Sequence, residues 1–404
     1  MNSLSSSRLT NNKVNVNAVI RRILLPVLCL ASAMSSYAQH IDYMAVQRAL
    51  DRASQPTLWQ RIASRMSMPM ISSENVQLSA HAGIAYTAET NLALTLTGSA
   101  TYRTREHYPQ SSAHATAMAS IEGFYRVALG GEHLFGSGNG RLIYDAGVAS
   151  LPIRFWGLGY EAATSNQRSR YTHLIANGTA TYLHQIAAGM HLGAGVDLRY
   201  GKGHNFEPLA EEYLHKAGQN VLSTYTTGLS LTARYDRRDN AYNPSRGIYL
   251  SLTGEVRPKA LGSFNQTLWH VTAQANLYQS LWQGAVATLD LYGDAWSSAT
   301  PWFYWPMMGG QSRMRGYYYG RYTNSKMATA QLELRQQVWG PIGVVAWGGA
   351  GTVFSSLKTF DWSEILPTYG VGLRLKAGER TALRIDYGLG RRCSGIIINV
   401  NEAF

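Results

Sequence analysis

The stretch MMGGQSRMRGYYYGRY (307–322) sets two adjacent glycines, Gly309 and Gly310, ahead of Arg315-Gly316-Tyr317, and follows the aromatic run PWFYW (301–305). The chemistry open to such a segment is recognition rather than turnover. A guanidinium stays charged at any physiological pH and offers a planar fork of N–H donors that fits a carboxylate or a phosphate. Glycines beside it let the backbone turn sharply enough to present it. Groups that could serve as nucleophile or proton shuttle are scattered. His191 and His270 have no identifiable Ser or carboxylate constellation, and a Gly-x-Ser-x-Gly motif is absent. No catalytic residue is assigned.

What Arg315 meets depends on the elements that carry it, and composition narrows these. Arg8, Lys13, Arg21 and Arg22, the apolar core Ile23–Ala33 and the small-x-small site Ser36-Tyr37-Ala38 make residues 1–38 a secretory signal peptide. That apolar core falls short of the roughly 20 residues a spanning helix needs. Cys29 does not mark lipoprotein processing, because Leu28 stands where a small residue is required. Cleavage leaves Cys393 as the one cysteine, which excludes an intrachain disulfide and a cysteine-built metal site, and no cofactor or metal is expected. The net charge of +12 falls to +8 with the signal removed. In an exported chain this surplus does not indicate nucleic acid as a partner. No other apolar run approaches 18 residues, only 15% of residues are charged, and Gly (39) and Tyr (25) are abundant. That profile fits a transmembrane β-barrel.

Alternation supports the barrel. In 189–201, Met190, Leu192, Val196 and Leu198 share one parity, and His191, Asp197 and Arg199 the other. In 329–338, Leu332 and Leu334 oppose Gln331, Glu333 and Arg335, and in 381–388, Leu383, Ile385 and Tyr387 oppose Arg384 and Asp386. One face is apolar and the other charged. Strands of roughly 12–18 residues exceed the soluble average of about 5–6 and suit a tilted membrane crossing. Sixteen segments follow: 76–88, 91–103, 112–121, 123–135, 141–154, 168–185, 187–201, 222–237, 246–258, 264–282, 284–297, 327–339, 341–354, 366–377, 380–391 and 393–404. Connections after even strands are mostly tight, and those after odd strands include the long ones (155–167, 202–221, 298–326, 355–365). Short periplasmic turns and long external loops are the outer-membrane pattern. The expected fold is therefore an all-β, 16-stranded antiparallel transmembrane barrel over residues 76–404. Residues 39–75 form a short N-terminal leader with amphipathic helices expected at 41–54 and 56–66.

On this map 307–322 lies in the longest external loop, which can fold inward and plug a polar lumen. The motif resembles the sixth external loop of the BamA/TamA superfamily of outer-membrane assembly barrels (the bacterial surface antigen family). Gly309, Gly310, Arg315, Gly316 and Tyr317 match its Gly-Gly…(Val/Ile)-Arg-Gly-(Phe/Tyr) signature, with Met314 in the aliphatic position. DRRDNAYNPSRG (236–247) resembles the family's turn motif through Asp236, Arg238, Asp239, Asn240, Pro244 and Gly247. FWGLGY (155–160) resembles its third-loop motif through Phe155, Trp156, Gly157 and Gly159. The chain ends on Phe404, with Ile396, Ile398 and Val400 in its parity, like a family terminal strand that acts as a barrel assembly signal.

The resemblance covers about 75–404 and leaves no room for a periplasmic POTRA domain. It also lacks the family Asp that holds the loop arginine, since WGGAG (347–351) has Gly349 there. Asp386 and Glu333, both of lumen parity, are the candidate partners of Arg315. By this likeness the chain acts in outer-membrane protein assembly or translocation, as an accessory or specialised member with client proteins or partner lipoproteins. A gated or passive porin-like channel is the alternative, and an acyl hydrolase is disfavoured. Arg168, Arg170, Lys202, Lys358, Arg391 and Arg392 are external bases that suit lipopolysaccharide phosphates.

Overall fold

The computed structural model describes residues 67–404, apart from Glu74, 104–108, Asn166, Tyr242, 378–380, Asn401 and Phe404. In chain order the strands are β1 (Ser67–Ser72), β2 (Val76–Thr87), β3 (Asn91–Tyr102), β4 (Ser111–Ser120), β5 (Tyr125–Phe135), β6 (Gly140–Phe155), β7 (Ser169–Ala187), β8 (Met190–His204), β9 (Ser223–Asp236) and β10 (Gly247–Arg257). They continue as β11 (Leu268–Ser280), β12 (Ala285–Trp296), β13 (Met307–Met308), β14 (Tyr322–Thr323), β15 (Lys326–Trp339), β16 (Ile342–Phe354), β17 (Leu366–Ala377), β18 (Thr381–Gly390) and β19 (Cys393–Val400). Two helices interrupt them, α1 (Gly159–Thr164) and α2 (Pro208–Lys216).

Strands β2–β12 and β15–β19 make the sixteen-stranded wall, each antiparallel to the next, with β19 returning to β2. The alternation read from the sequence reappears as an inverted pattern of exposure. Ile84, Leu94, Val127, Leu231, Leu252, Leu332 and Val371 are exposed on the outer face, while Asp197, Glu255, Asp290, Glu333 and Asp386 are buried inside. A wall that hides its charges and shows its aliphatics is one built to sit in lipid.

The strand map differs from expectation mainly at its ends. The split near residue 122 is real, since β4 stops at Ser120 and β5 starts at Tyr125. Residues 264–267, expected as strand, belong to a loop that begins at Pro258 and carries a short helical turn at Lys259–Leu261. Proline supplies no N–H for a ladder, so β10 ends just before it. The helices expected at 41–54 and 56–66 lie outside the described residues. The last part of the leader, expected to be non-strand, is β1, which ladders onto β2.

Long connections (156–168, 205–222, 297–325 and 355–365) gather at one end of the barrel, and the turns 136–139, 188–189, 281–284 and 340–341 lie at the other. At the loop end α2 buries Ala210 and Leu214 against Phe155, Tyr171, Trp302, Phe303 and Tyr304. Rings meet edge-on there, as Tyr171 and Trp302 do at 4.9 Å, an arrangement that adds about 0.5–1.5 kcal/mol per pair to area burial. Three rings of this aromatic lid, Trp302, Phe303 and Tyr304, come from the same 297–325 connection that carries the Arg-Gly-Tyr motif.

Candidate functional site

The connection from β12 to β15 leaves the rim through a short helical turn at Trp302–Tyr304, forms the small hairpin β13–β14, and sends its tip back toward the lumen wall. The tip is tightly wound: Gly309, Gly310 and Gly316 have φ of 104°, 99° and 103°, and Met314 adopts φ 51°. The glycine requirement is sharpest at Gly316. A Cβ there would sit 2.7 Å from the carbonyl carbon of Gly388 and 2.8 Å from the nitrogen of Leu389, both backbone atoms of β18. A Cβ on Gly388 would in turn meet Arg315 and Gly316 backbone at 2.7 Å. Loop and wall are therefore in backbone-to-backbone contact, which two facing glycines permit.

That contact delivers Arg315, which is fully buried. Its Nη1 donates to Asp386 Oδ2 at 2.8 Å and its Nη2 to Glu333 Oε2. Both candidate partners hold it, where the sequence suggested one or the other. The guanidinium also lies 3.6 Å from the ring centroid of Trp347. Trp347 opens the same WGGAG segment in which Gly349 replaces the expected acid. The charge is thus held by two carboxylates and an aromatic face from β15, β16 and β18, a desolvated arrangement in which each partner matters. Thr368 donates to the Arg315 carbonyl at 2.6 Å. Tyr317 donates to Pro367 O at 2.6 Å and accepts from the Arg391 N–H at 2.7 Å. Burial first of all pushes its phenol up to about 12, so it is a neutral donor.

Several contributors carried too little local signal to be singled out. Arg313 grips Asp290 bidentately at 2.7 and 2.9 Å and lies 4.0 Å from the Tyr292 ring. The carbonyl of Gln311 accepts from Arg384 Nη2 at 2.8 Å, and its side-chain oxygen accepts from Asn399. Around Asp386 and Glu333 the network widens: Arg374 reaches Asp386 at 2.5 Å and Glu402 at 2.9 Å, and Arg335 reaches Glu333 at 2.8 Å. Lumen parity marks Asp290 and Arg374 as inward, whereas Glu402 shares the parity of Ile396 and Ile398 and lies past the end of β19, and nothing in one strand's pattern says which loop residue will descend to the wall. His270, for which the sequence shows no carboxylate constellation, bridges Glu255 and Asp294 at 3.1 and 3.0 Å and stacks on Trp296.

The third-loop motif joins this site. Phe155 sits in the aromatic lid, Trp156 packs on Tyr318 at 5.2 Å, and Gly157 and Gly159 have positive φ around the start of α1. Arg321 donates to Ala163 O at 3.2 Å, tying the long loop to α1. The turn motif does not join it, because it lies between β9 and β10 at the opposite end. There Arg238 is bidentate to Asp236 at 2.9 and 2.7 Å, Pro244 is buried, and Asn240 is exposed. Gly247 has φ 112°, with the Arg237 carbonyl 2.1 Å from where a Cβ would be. Phe404 lies outside the described residues.

Asp239 caps this turn by accepting from the N–H groups of Asn240 (2.9 Å), Ser245 (2.9 Å) and Arg246 (3.2 Å) and from the Ser245 hydroxyl. Burial alone would raise its pKa, but the bonds from Ser245, Arg246 and Asn240 outweigh it and hold the carboxylate below its ordinary 3.8. A carboxylate depressed on folding stabilises fully above its ordinary value, and the contribution is lost as pH falls through the lower, folded value. Hydrogen exchange at Ser245 and Arg246, taken relative to the intrinsic amide rate at each pH, is therefore expected to accelerate only below about pH 3.8. In Asp239→Ala it should be fast throughout. Slow exchange in that variant at neutral pH would show that Asp239 is not the cap.

The Omp85 superfamily domain matches residues 154–392, more than half of the chain and the whole span from the third-loop motif to the start of β19. The chain belongs to the Omp85 superfamily. No curated protein sequence matches it. Among solved structures, this Omp85 barrel is similar to BamA from Haemophilus ducreyi lacking POTRA domains 1–3, at TM-score 0.56 and 12% identity over 82% of this chain and 70% of that one. CdiB from Escherichia coli (TM-score 0.56, 12% identity, 82% and 63% covered) and CdiB from Acinetobacter baumannii (0.52, 12%, 82% and 60%) are similar too. At these identities the likeness is one of fold. The chain spans less than two thirds of the two CdiB chains. Family and barrel together place it in the bacterial outer membrane.

Proposed function

We propose that this Omp85 barrel assembles or translocates proteins at the outer membrane, as a specialised or accessory member that works with client proteins or partner lipoproteins. It reaches the membrane by export under the signal at 1–38, with its long loops outside. There Arg168, Arg170, Lys202 and Lys358 meet lipopolysaccharide phosphates. The observation that carries this reading is the seam. Neighbours such as β6 and β7 pair along their full lengths, Gly140–Phe155 against Ser169–His184, whereas β19 and β2 share, among the described residues, the single pair Ile398↔Tyr86. Backbone N–H and C=O groups left unpaired within lipid are costly, and an incoming strand satisfies them by adding to the sheet. The loop that fills the lumen works in the same direction, because it obstructs the axial route and leaves the wall as the way through.

A disulfide across the seam tests this. Tyr86→Cys with Ile398→Cys, in a Cys393→Ser background, should, when oxidised, lower the yield of a client barrel folded in proteoliposomes about tenfold or more, with reduction restoring it. If oxidation leaves client folding unchanged while the protein passes a steady porin-like current, the channel reading replaces this one.

A further inference from the structure

The seam edge of β2 is already partly occupied, and by this chain itself. β3 takes one edge of β2 along all of Val76–Thr87. A strand has two edges, so β1 and β19 share the other. β19 meets it at Tyr86, near its loop end, while β1 ladders with its turn-end part through Ser67↔His81, Met68↔Ala80, Pro69↔Ser79, Ile71↔Leu78 and Ser72↔Gln77. Ala82–Ala85 lie between the two on that edge with, among the described residues, no ladder pair.

Resting on the assembly reading, we infer that residues 67–72 are a resident substitute strand, holding the part of the β2 edge that an incoming β-strand must take. Its construction suits temporary occupancy. The link to β2 is three residues long, and across it Ser73 N–H donates to Val76 O at 2.8 Å and Ser73 Oγ accepts from Val76 N–H. A strand tethered this closely competes at an effective concentration on the order of millimolar. It therefore excludes stray strands present at micromolar concentration, whereas a client delivered and held beside the seam can match it.

The ladder is also imperfect. Pro69 has no N–H to donate, and the register slips between Pro69 and Ile71, leaving Met70 out of the pairing. Five paired residues cover that part of the edge and can be peeled from it, while the partner the edge accepts is an extended strand joined through backbone hydrogen bonds. This chain carries such a strand at its own terminus, β19, which already contacts the same edge.

The test uses the full chain in detergent with Cys393→Ser, Met68→Cys and Ala80→Cys. The probe is a peptide of sequence GIIINVNEAF (residues 395–404) bearing a photoreactive group, supplied at about 0.1 mM, roughly a tenth of the tether's effective concentration, and the reading is the fraction crosslinked to β2. The disulfide should form, and capture should be at least about tenfold lower in the oxidised form than in the reduced one. Deleting 67–72 should raise capture about tenfold above the intact chain. Equal capture in oxidised and reduced forms, or failure of the two cysteines to join, overturns the substitute-strand inference and leaves the assembly reading standing. Absence of capture in all forms removes the strand-accepting edge, and both fall together.

Discussion

Arg315→Ala is expected to leave the barrel folded and inserted while releasing the tip of the 297–325 loop to protease added from outside. The expectation follows from charge counting around a buried group. Arg315, Arg335, Arg374 and Arg384 share the carboxylates of Glu333, Asp386 and Glu402, with separations between 2.5 and 3.9 Å along the wall. Removing Arg315 leaves three cations facing three anions, so the wall stays balanced and the loss falls on the loop. The loop loses two charge-assisted hydrogen bonds of about 1.5–3 kcal/mol each, enough to shift docking by two orders of magnitude or more.

Asp386→Ala removes an anion that touches Arg315, Arg374 and Arg384, leaving four cations with two partners. It should be the worse of the two, loosening β17 and β18 as well as the loop. The double variant should be milder than the sum, since residues in one network are coupled. Heat-modifiable gel mobility reports the barrel and limited proteolysis reports the loop. An Arg315→Ala loop as protected as the wild type would reduce Arg315 to an ordinary buried side chain.

The second large effect is expected at the facing glycines. Gly388→Ala places a methyl against the backbone of Arg315 and Gly316 at 2.7 Å, yet Gly388 sits in an ordinary extended strand, so β18 itself is unstrained. Overpacking of this kind costs about 1–3 kcal/mol, directed at loop docking. Gly316→Ala meets the same wall and in addition forces a residue with a Cβ into φ 103°, adding about 1–3 kcal/mol of backbone strain. Loop proteolysis should therefore rise in the order wild type, Gly388→Ala, Gly316→Ala, with the folded-barrel band retained in all three. If Gly388→Ala docks its loop like the wild type, the close backbone approach is not what seats the tip.

Much of this site was legible in the sequence because a barrel wall encodes inside and outside in strict alternation. Asp386 and Glu333 were identified as inward from Leu383, Ile385 and Leu332 alone. Arg315 was marked by its glycines, and the structure joins all three. What alternation leaves open is how a loop descends. Arg313 is two residues from Arg315 and chemically equivalent to it, yet its partner Asp290 lies on β12, and only the path of the backbone through Gly309 and Gly310 brings them together. Trp347 was likewise readable as an inward aromatic but not as the face on which a cation rests. β1 escaped for a different reason. SMPMIS carries a proline and no long alternation, so it becomes a strand only because β2 offers it an edge.

The contacts of the loop tip are unevenly distributed about the seam. Arg315, Gly316, Tyr317 and Gln311 are fastened to β15, β17, β18 and β19, all on the C-terminal side. Toward the first hairpin, the described loop reaches across through Tyr319 N–H to Glu89 at 2.6 Å. The two margins of the gap therefore differ in stiffness: one is a door frame braced from within, the other a leaf held lightly at its outer corner. In the opening proposed above, β2 and β3 would be the strands free to swing, carrying the strand-accepting edge with them, while the braced margin keeps its place.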